Sequence, residues 1–240
     1  MTLTVVKPGL QTTIQSRPRT GMQHLGVPSG GAADALSMAL ANRLVGNAWD
    51  APVLEASLLG PTLRFECDMA AGIAGAPAAL TLNGQEAEPH QTLFAREGDV
   101  LEIGAVSAGA RVYLAVPGGF EADELLGSAA TNLQAGFGGF AGAALRDGDR
   151  LRAMGEGAEL VVTPPHFRPP VTSSWGLRSC ASAETGLLND ASVLFETNWV
   201  VDRRADRMGL RLEGPHLEIA SDGRMPSAGV VPGTIQCPED

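Results

Sequence analysis

The chain is 240 residues long and carries 17 Lys+Arg against 27 Asp+Glu, a formal net charge of −10. With 44% hydrophobic and 18% charged residues it has an ordinary globular balance, which excludes wholesale disorder. Lys7 is the single lysine, and an acidic chain without clustered cations argues against nucleic-acid or anionic-lipid partners.

No apolar run approaches the roughly 18 residues that would cross a bilayer, so a soluble protein is expected. The opening MTLTVVKPGL has no basic segment followed by an apolar one, so a cytoplasmic location is expected. It reads as a strand, Leu3–Val6, running into a Pro-Gly turn. The polar residues Gln11, Gln15, Arg17, Arg19, Gln23 and His24 then precede the turn-rich Gly26–Gly31. Asp34 to Val45 is the one segment with helical spacing: Leu36, Leu40 and Leu44 recur every fourth residue, Asp34 can cap the start, and Gly46-Asn47 can stop the helix.

Further strands are expected at Thr62–Cys67, Ala79–Leu82, Val100–Ile103, Arg111–Val116 and Leu160–Thr163. Asn83-Gly84 predicts a two-residue hairpin joining Ala79–Leu82 to Gln85–Ala87. The hexapeptide Arg96–Leu101 recurs as Arg146–Leu151, and the pair reads as two barrel corners, each a tight Gly-Asp turn that launches a strand. A second short helix is expected over Glu121–Leu126. The proline-rich stretch 163–174 divides a lobe spanning 1–165 from a smaller one spanning 175–240. That second lobe is expected to hold strands at Trp199–Val201, Gly209–Arg211 and Leu217–Ile219 and to pack on the first. The chain stops four residues after Val230–Gln236, a turn entering a strand, so a shortened C-terminal lobe is expected.

The common phosphate, nucleophile and zinc-protease signatures are missing, and the Gly-rich 135–140 stretch reads as a plain loop because no helix with a lysine follows it. His24, His90, His166 and His216 share no ligand spacing, so no metal is expected. Cys67, Cys180 and Cys237 lie far apart and read as buried, inert thiols. Two readings of the polar cluster stand side by side: a site for a small amide or carboxylate beside Gly-Pro turns, or a solvated loop with satisfied polar groups. Asn42 either ties loops together or faces a cleft. Arg207 and Arg211, on one face of a turn and strand, form either a cationic wall or surface ion pairs.

Several stretches together resemble one family: VVKPGLQTTIQ, Arg19–Pro28, LANRLVGN at Leu40–Asn47, LEASLLGPTLRF at Leu54–Phe65, AGFGG at Ala135–Gly139, DRMGLRLEGP at Asp206–Pro215 and VVPGTIQ at Val230–Gln236. The chain looks like the C subunit of 5-oxoprolinase, the allophanate hydrolase subunit 2 or Kip-A-type family, which is similar to the second half of the carboxyltransferase module of urea carboxylase. The resemblance implies a mainly β, two-lobed, cyclophilin-like β-barrel architecture with one or two short helices. It implies a composite site shared with the B subunit of 5-oxoprolinase and ATP-dependent opening of 5-oxo-L-proline to L-glutamate, completed by the A subunit. ATP is then used by the complex, and no metal or biotin is attached to this chain. Within that scheme Arg19, Asp34 and Arg207 are expected to be catalytic, and Gln11, Gln15, Gln23, His24, Arg211 and Gln236 to bind substrate. Two alternatives compete: the carboxyltransferase half of a biotin-dependent urea-type carboxylase, and a non-catalytic regulatory or binding subunit.

Overall fold

The computed structural model describes residues 1–172, 176–204, 209–220, 230–231 and 233–237. Its contacts divide the chain into two units, Met1–Trp175 and Gly176–Asp240.

The first unit is built on two antiparallel sheets. In chain order its strands are β1 (Thr2–Lys7), β2 (Thr12–Gln15), β3 (Val53–Ser57), β4 (Thr62–Phe65), β5 (Met69–Gly75), β6 (Ala78–Leu82), β7 (Gln85–Glu86), β8 (Thr92–Ala95), β9 (Val100–Val106), β10 (Arg111–Ala115) and β11 (Arg150–Arg152). One sheet has the order β11-β1-β4-β9-β6-β7 and the other β2-β3-β10-β5-β8. Each sheet runs between two free ends, so these ladders do not close into the barrel that the resemblance implies. The architecture is mainly β, as expected.

Alternation along the strands explains the layering. Val112 and Leu114 join Leu54, Ile73, Leu63, Phe65, Leu101 and Leu151 in a core between the two sheets. Tyr113 and Ala115 face the other way, with Val53, Ala70 and Ala74, and meet Met38, Leu40, Ala41 and Val45 of the helical segment. The second sheet is therefore buried on both faces, which is why β3 and β5 carry no polar-apolar alternation and leave no strand signature in the sequence. The helix α1 (Ala35–Leu44) seats on β5 at Gly72, where a Cβ would stand 2.5 Å from the Ala41 carbonyl oxygen. Thr92 closes this seat by donating its hydroxyl to the Leu44 carbonyl (2.6 Å).

Asp34 caps α1 and Gly46, at φ 73°, lies just beyond its end, as the sequence predicts. The buried face differs from the expected leucine stripe: Leu40 and Leu44 are buried but Leu36 is 55% exposed, and Ser37, Met38 and Ala41 complete the contact. Asn42 adopts the loop-tying alternative. Its amide donates to the Trp49 and Ala51 carbonyls and its oxygen accepts from Asn47, which also donates to Val116 and accepts from the Gly118 amide.

The hairpin at Asn83-Gly84 has the expected pair of positive φ angles, 52° and 76°. The repeated hexapeptides are equivalent corners: Asp99 and Asp149 each accept the backbone N–H three residues back, from Arg96 and Arg146 (2.8 and 2.7 Å). Each corner then clips to a neighbouring strand, at Phe65 and at Val5. Glu121–Leu126 is not a helix. It runs extended, with bridges from Asp123 to Gly139 and from Leu125 to Ser128, because its chain is held by the adjoining loop instead of by its own i to i−4 bonds. Leu160–Thr163 forms only a single bridge, Gln91 to Val162, beside β8.

The second unit holds the short helix α2 (Val193–Glu196) and one ladder, β12 (Val200–Val201) with β13 (Leu212–Glu213). The strand expected at Gly209–Arg211 is displaced to Leu212–Glu213, and Leu217–Ile219 contributes one bridge, from Ile219 to Leu188. Residues 234–236 are not in a strand; Thr234 donates back to the Val231 carbonyl (3.1 Å) in a turn. The thiols also depart from expectation, since Cys180 is exposed and Cys67 and Cys237 are half-buried. Among the described residues no helix is long and apolar enough to cross a membrane.

His90 is buried at φ 63°, with Nδ1 lacking a partner, while its backbone joins Ile73 to Thr163. Burial, reinforced by the Arg168 charge, pushes its ionisation below the usual imidazole range. The unfolded chain therefore takes up this proton first, and stability present above about pH 6.5 is lost as the pH falls toward the folded-state value. Thermal melts should show a Tm that drops through this acid window, and His90→Asn, which tolerates the positive φ, should flatten the slope; an unchanged slope contradicts the assignment.

Candidate functional site

Where β2 ends, the chain leaves the sheet as a long loop, residues 16–33, before entering α1. Two backbone bonds close its base, Arg19 N–H to Ser29 O (2.7 Å) and Ala32 N–H to Ser16 O (3.2 Å). Its tip carries a 3-10 turn, Gln23–Leu25, that ends on Gly26 at φ 73°. Gly31, at φ 91°, passes so close to Pro18 that a Cβ would lie 3.0 Å from its nitrogen, so this crossing requires glycine.

A second loop, residues 123–143, lies against the first and is sewn to it by side chains. The Ser128 hydroxyl donates to Arg17 O (2.6 Å), the Ala129 amide to Ser16 Oγ (3.0 Å), and Arg17 Nε to Gly127 O (2.9 Å). Thr131 Oγ1 donates to Ile14 O (2.7 Å), and Gln15 Nε2 donates to Thr13 Oγ1 (3.0 Å) and Thr131 O (3.3 Å). At the centre is Arg19. Its Nε donates to Leu125 O (3.0 Å), its Nη2 to Ser128 O (3.1 Å) and Ala130 O (2.5 Å), and its guanidinium carbon lies 4.7 Å from the Phe137 ring centroid.

Arg19 is 1% exposed, and among the described residues it has no carboxylate within ion-pair distance. Neutral carbonyl dipoles and an aromatic face hold its charge, and burial pushes its ionisation down. Among the described residues two buried polar atoms of this cluster lack partners, Arg19 Nη1 and Gln15 Oε1.

The junction between the first loop and α1 is anchored from the sheet below. Tyr113 Oη accepts the Asp34 N–H (2.8 Å) and donates to Glu55 Oε2 (2.8 Å), which also accepts the Ala33 N–H (2.8 Å). Arg111 Nε stands 3.5 Å from the other Glu55 oxygen. Burial and the Glu55 charge hold the Tyr113 phenol well above its ordinary range, so it stays a proton donor. Asp34 spends its carboxylate on the Ser37 amide (3.0 Å) and hydroxyl. The amides at this helix start are thus committed to the protein itself.

The structure brings Gln15, Gln23, His24, Arg19 and Asp34 onto the first loop and its two ends, but in different situations. Gln15 and Arg19 are interior, Gln23 and His24 ride on the tip, and Asp34 is a helix cap. Gln11 is exposed at the opposite end of β2, about 13 Å away along the strand, and does not join the cluster. Arg211 and Gln236 are exposed residues of the second unit, and Arg207 lies outside the described residues. Glu55, Tyr113, Ser128 and Phe137 belong to the cluster without being evident in the sequence. Only Glu55, a lone acid inside the apolar run Val53–Ala56, leaves a signal there. The Gly-rich stretch is a loop in which several amides are engaged: those of Ala135, Gly136 and Phe137 donate to Asn132, and that of Gly139 donates to Asp123.

Known proteins resemble this chain in sequence and fold. A family model described as carboxyltransferase domain, subdomain A and B, matches residues 25–240. The chain is 31% identical to the 5-oxoprolinase C subunit of Escherichia coli (strain K12) over 242 residues, covering 99% of this chain and 77% of that protein. It is 34% identical to urea amidolyase of Saccharomyces cerevisiae over 224 residues, covering 88% of this chain but only 12% of the length of that relative. The crystal structure of the Kluyveromyces lactis urea carboxylase superposes with a TM-score of 0.84 at 30% identity, covering 92% of this chain and 21% of that one.

Replacing Tyr113 with Phe keeps the packing volume but strips the partner from both the Asp34 amide and Glu55, at a cost of about 1–3 kcal/mol. Hydrogen exchange should then accelerate in residues 16–34 while β4 and β9 stay protected. Unchanged exchange in the loop contradicts the anchoring role.

Proposed function

The chain belongs to the carboxyltransferase-domain, subdomain A and B, family, and from that premise we propose that it is the C component of an ATP-dependent 5-oxoprolinase. The observation that carries this reading is the match with the Escherichia coli protein, which extends over 99% of this chain and 77% of that one. The urea amidolyase match has slightly higher identity but covers 88% of this chain.

In this reading the two interlocked loops around Arg19 are this chain's contribution to a site that the B component completes in the cytoplasm, with the A component taking part in the reaction. A lactam resists water because amide resonance must be broken. Phosphorylation of its carbonyl oxygen before hydrolysis lowers that barrier, and a second chain must supply the phosphate-handling groups. ATP is placed on the partner in this reading, since the chain carries no helix with a lysine after its Gly-rich 135–140 stretch. Gln23 and His24, on the loop tip, are suited to meet substrate, whereas Asp34 acts by capping the helix and Arg19 holds the loops through Nε and Nη2. The second reading, the carboxyltransferase half of a urea-type carboxylase, draws on the 0.84 TM-score with the Kluyveromyces lactis urea carboxylase.

Reconstitution separates the two. Mixed with the A and B components, the chain should support ATP-dependent release of glutamate from 5-oxoproline. Absence of turnover there, together with urea carboxylation when a biotin carboxylase and biotinyl carrier are supplied instead, contradicts the oxoprolinase reading.

A further inference from the structure

We propose that the free Nη1 edge of Arg19 is the receiving donor of a carboxylate subsite beneath the 20–30 segment. The inference rests on the reading of the interlocked loops as the substrate site and adds the group they recognise.

Three observations converge on it. The first is charge. Arg19 is 1% exposed and, among the described residues, unneutralised by any carboxylate, although a buried cation is retained at low cost only when an anion meets it. The second is the geometry of the guanidinium fork. Nε and Nη2 are used on the carbonyls of Leu125, Ser128 and Ala130, while Nη1 is buried with no partner, a donor left open on an otherwise locked side chain. The third is what covers that donor. At Gly30 a Cβ would stand 3.2 Å from Nη1, so a glycine there keeps side-chain atoms away from the open edge on that side.

The segment that leads to Gly30 is held chiefly at its base. Residues 20–28 hang from the two base bonds at Arg19–Ser29 and Ser16–Ala32, and the backbone bonds within the tip, Leu25 to Met22 and Gly26 to Gln23, are local to the 3-10 turn. Glycines at positive φ stand at positions 21, 26, 30 and 31, on both sides of that turn. A carboxylate oxygen entering under this segment satisfies Nη1 and neutralises the buried charge in one contact, while Gln23 and His24 on the tip close behind it. A neutral ligand such as urea supplies only the first of these two effects, so the subsite selects an anionic substrate.

The full-length chain, labelled on arginine, tests this by NMR at the Arg19 guanidinium, with 5-oxoproline and 2-pyrrolidinone, the same lactam ring without its carboxylate, as probes. The expected result is a saturable shift with 5-oxoproline and none with 2-pyrrolidinone. No shift up to about 10 mM, tenfold above the usual KM range, or an equal shift with both probes overturns the proposal. Arg19→Gln should weaken 5-oxoproline binding at least about tenfold, the value of one charge-assisted hydrogen bond. Should that variant fail to fold, Gly30→Asp decides. It places a carboxylate in cis beside Nη1, in a residue type that tolerates positive φ, and should abolish binding; wild-type binding by this variant overturns the proposal. Carboxylate binding at Arg19 without glutamate release from the assembled complex leaves the subsite standing and removes the reaction assignment. Turnover with a silent Arg19 does the reverse.

Discussion

A single buried guanidinium organises the two interlocked loops of the first unit. Arg19 reaches from one loop into another and collects the carbonyls of Leu125, Ser128 and Ala130 over the Phe137 ring. Neither loop has a regular ladder to hold it, so their shape depends on side chains that satisfy backbone groups, and Arg19 supplies more of these bonds than any neighbour described above. Its charge is the cost of that arrangement. Carbonyl dipoles offset only part of the desolvation, and burial lowers the ionisation of this side chain.

Below the loops the double-faced sheet provides a rigid base. β3 and β10 send Val112, Leu114 and Leu54 into the core between the sheets, while Tyr113 and Glu55 turn toward α1 and hold the amides of Ala33 and Asp34. The same two strands therefore carry both packing and polar anchoring. Residues that look catalytic by type, Asp34 and Arg19, are here occupied in holding backbone. Gln23 and His24 ride instead on the segment least tied to the rest. Rigid support beneath a glycine-hinged tip is the division of labour expected where a ligand must enter and then be enclosed.

Legibility of the fold in the sequence follows burial. Edge and half-exposed strands such as β1, β4 and β6 show alternation and can be read, as can the Asn83-Gly84 hairpin, the twin Gly-Asp corners and the cap at Asp34. β3 and β5 are hidden because burial on two faces erases alternation, and in β5 the small residues Ala70, Gly72 and Ala74 that admit the helix carry little strand signal. Glu121–Leu126 has helix-forming residues, yet pairing with the 137–139 strip overrides that local preference. The polar cluster is visible as a composition bias. Which members point inward is not, since Arg19 is buried by a loop more than 100 residues away in sequence, a contact no local pattern encodes.

Everything functional in this reading depends on the interlocked loops being the face that meets substrate. A structure of this chain assembled with its partner subunits and soaked with 5-oxoproline tests that most directly. The ligand is predicted to lie with its carboxylate on Arg19 Nη1 and the 20–30 segment folded over it. A ligand bound elsewhere in the assembly, with that segment unmoved and facing only solvent, contradicts it.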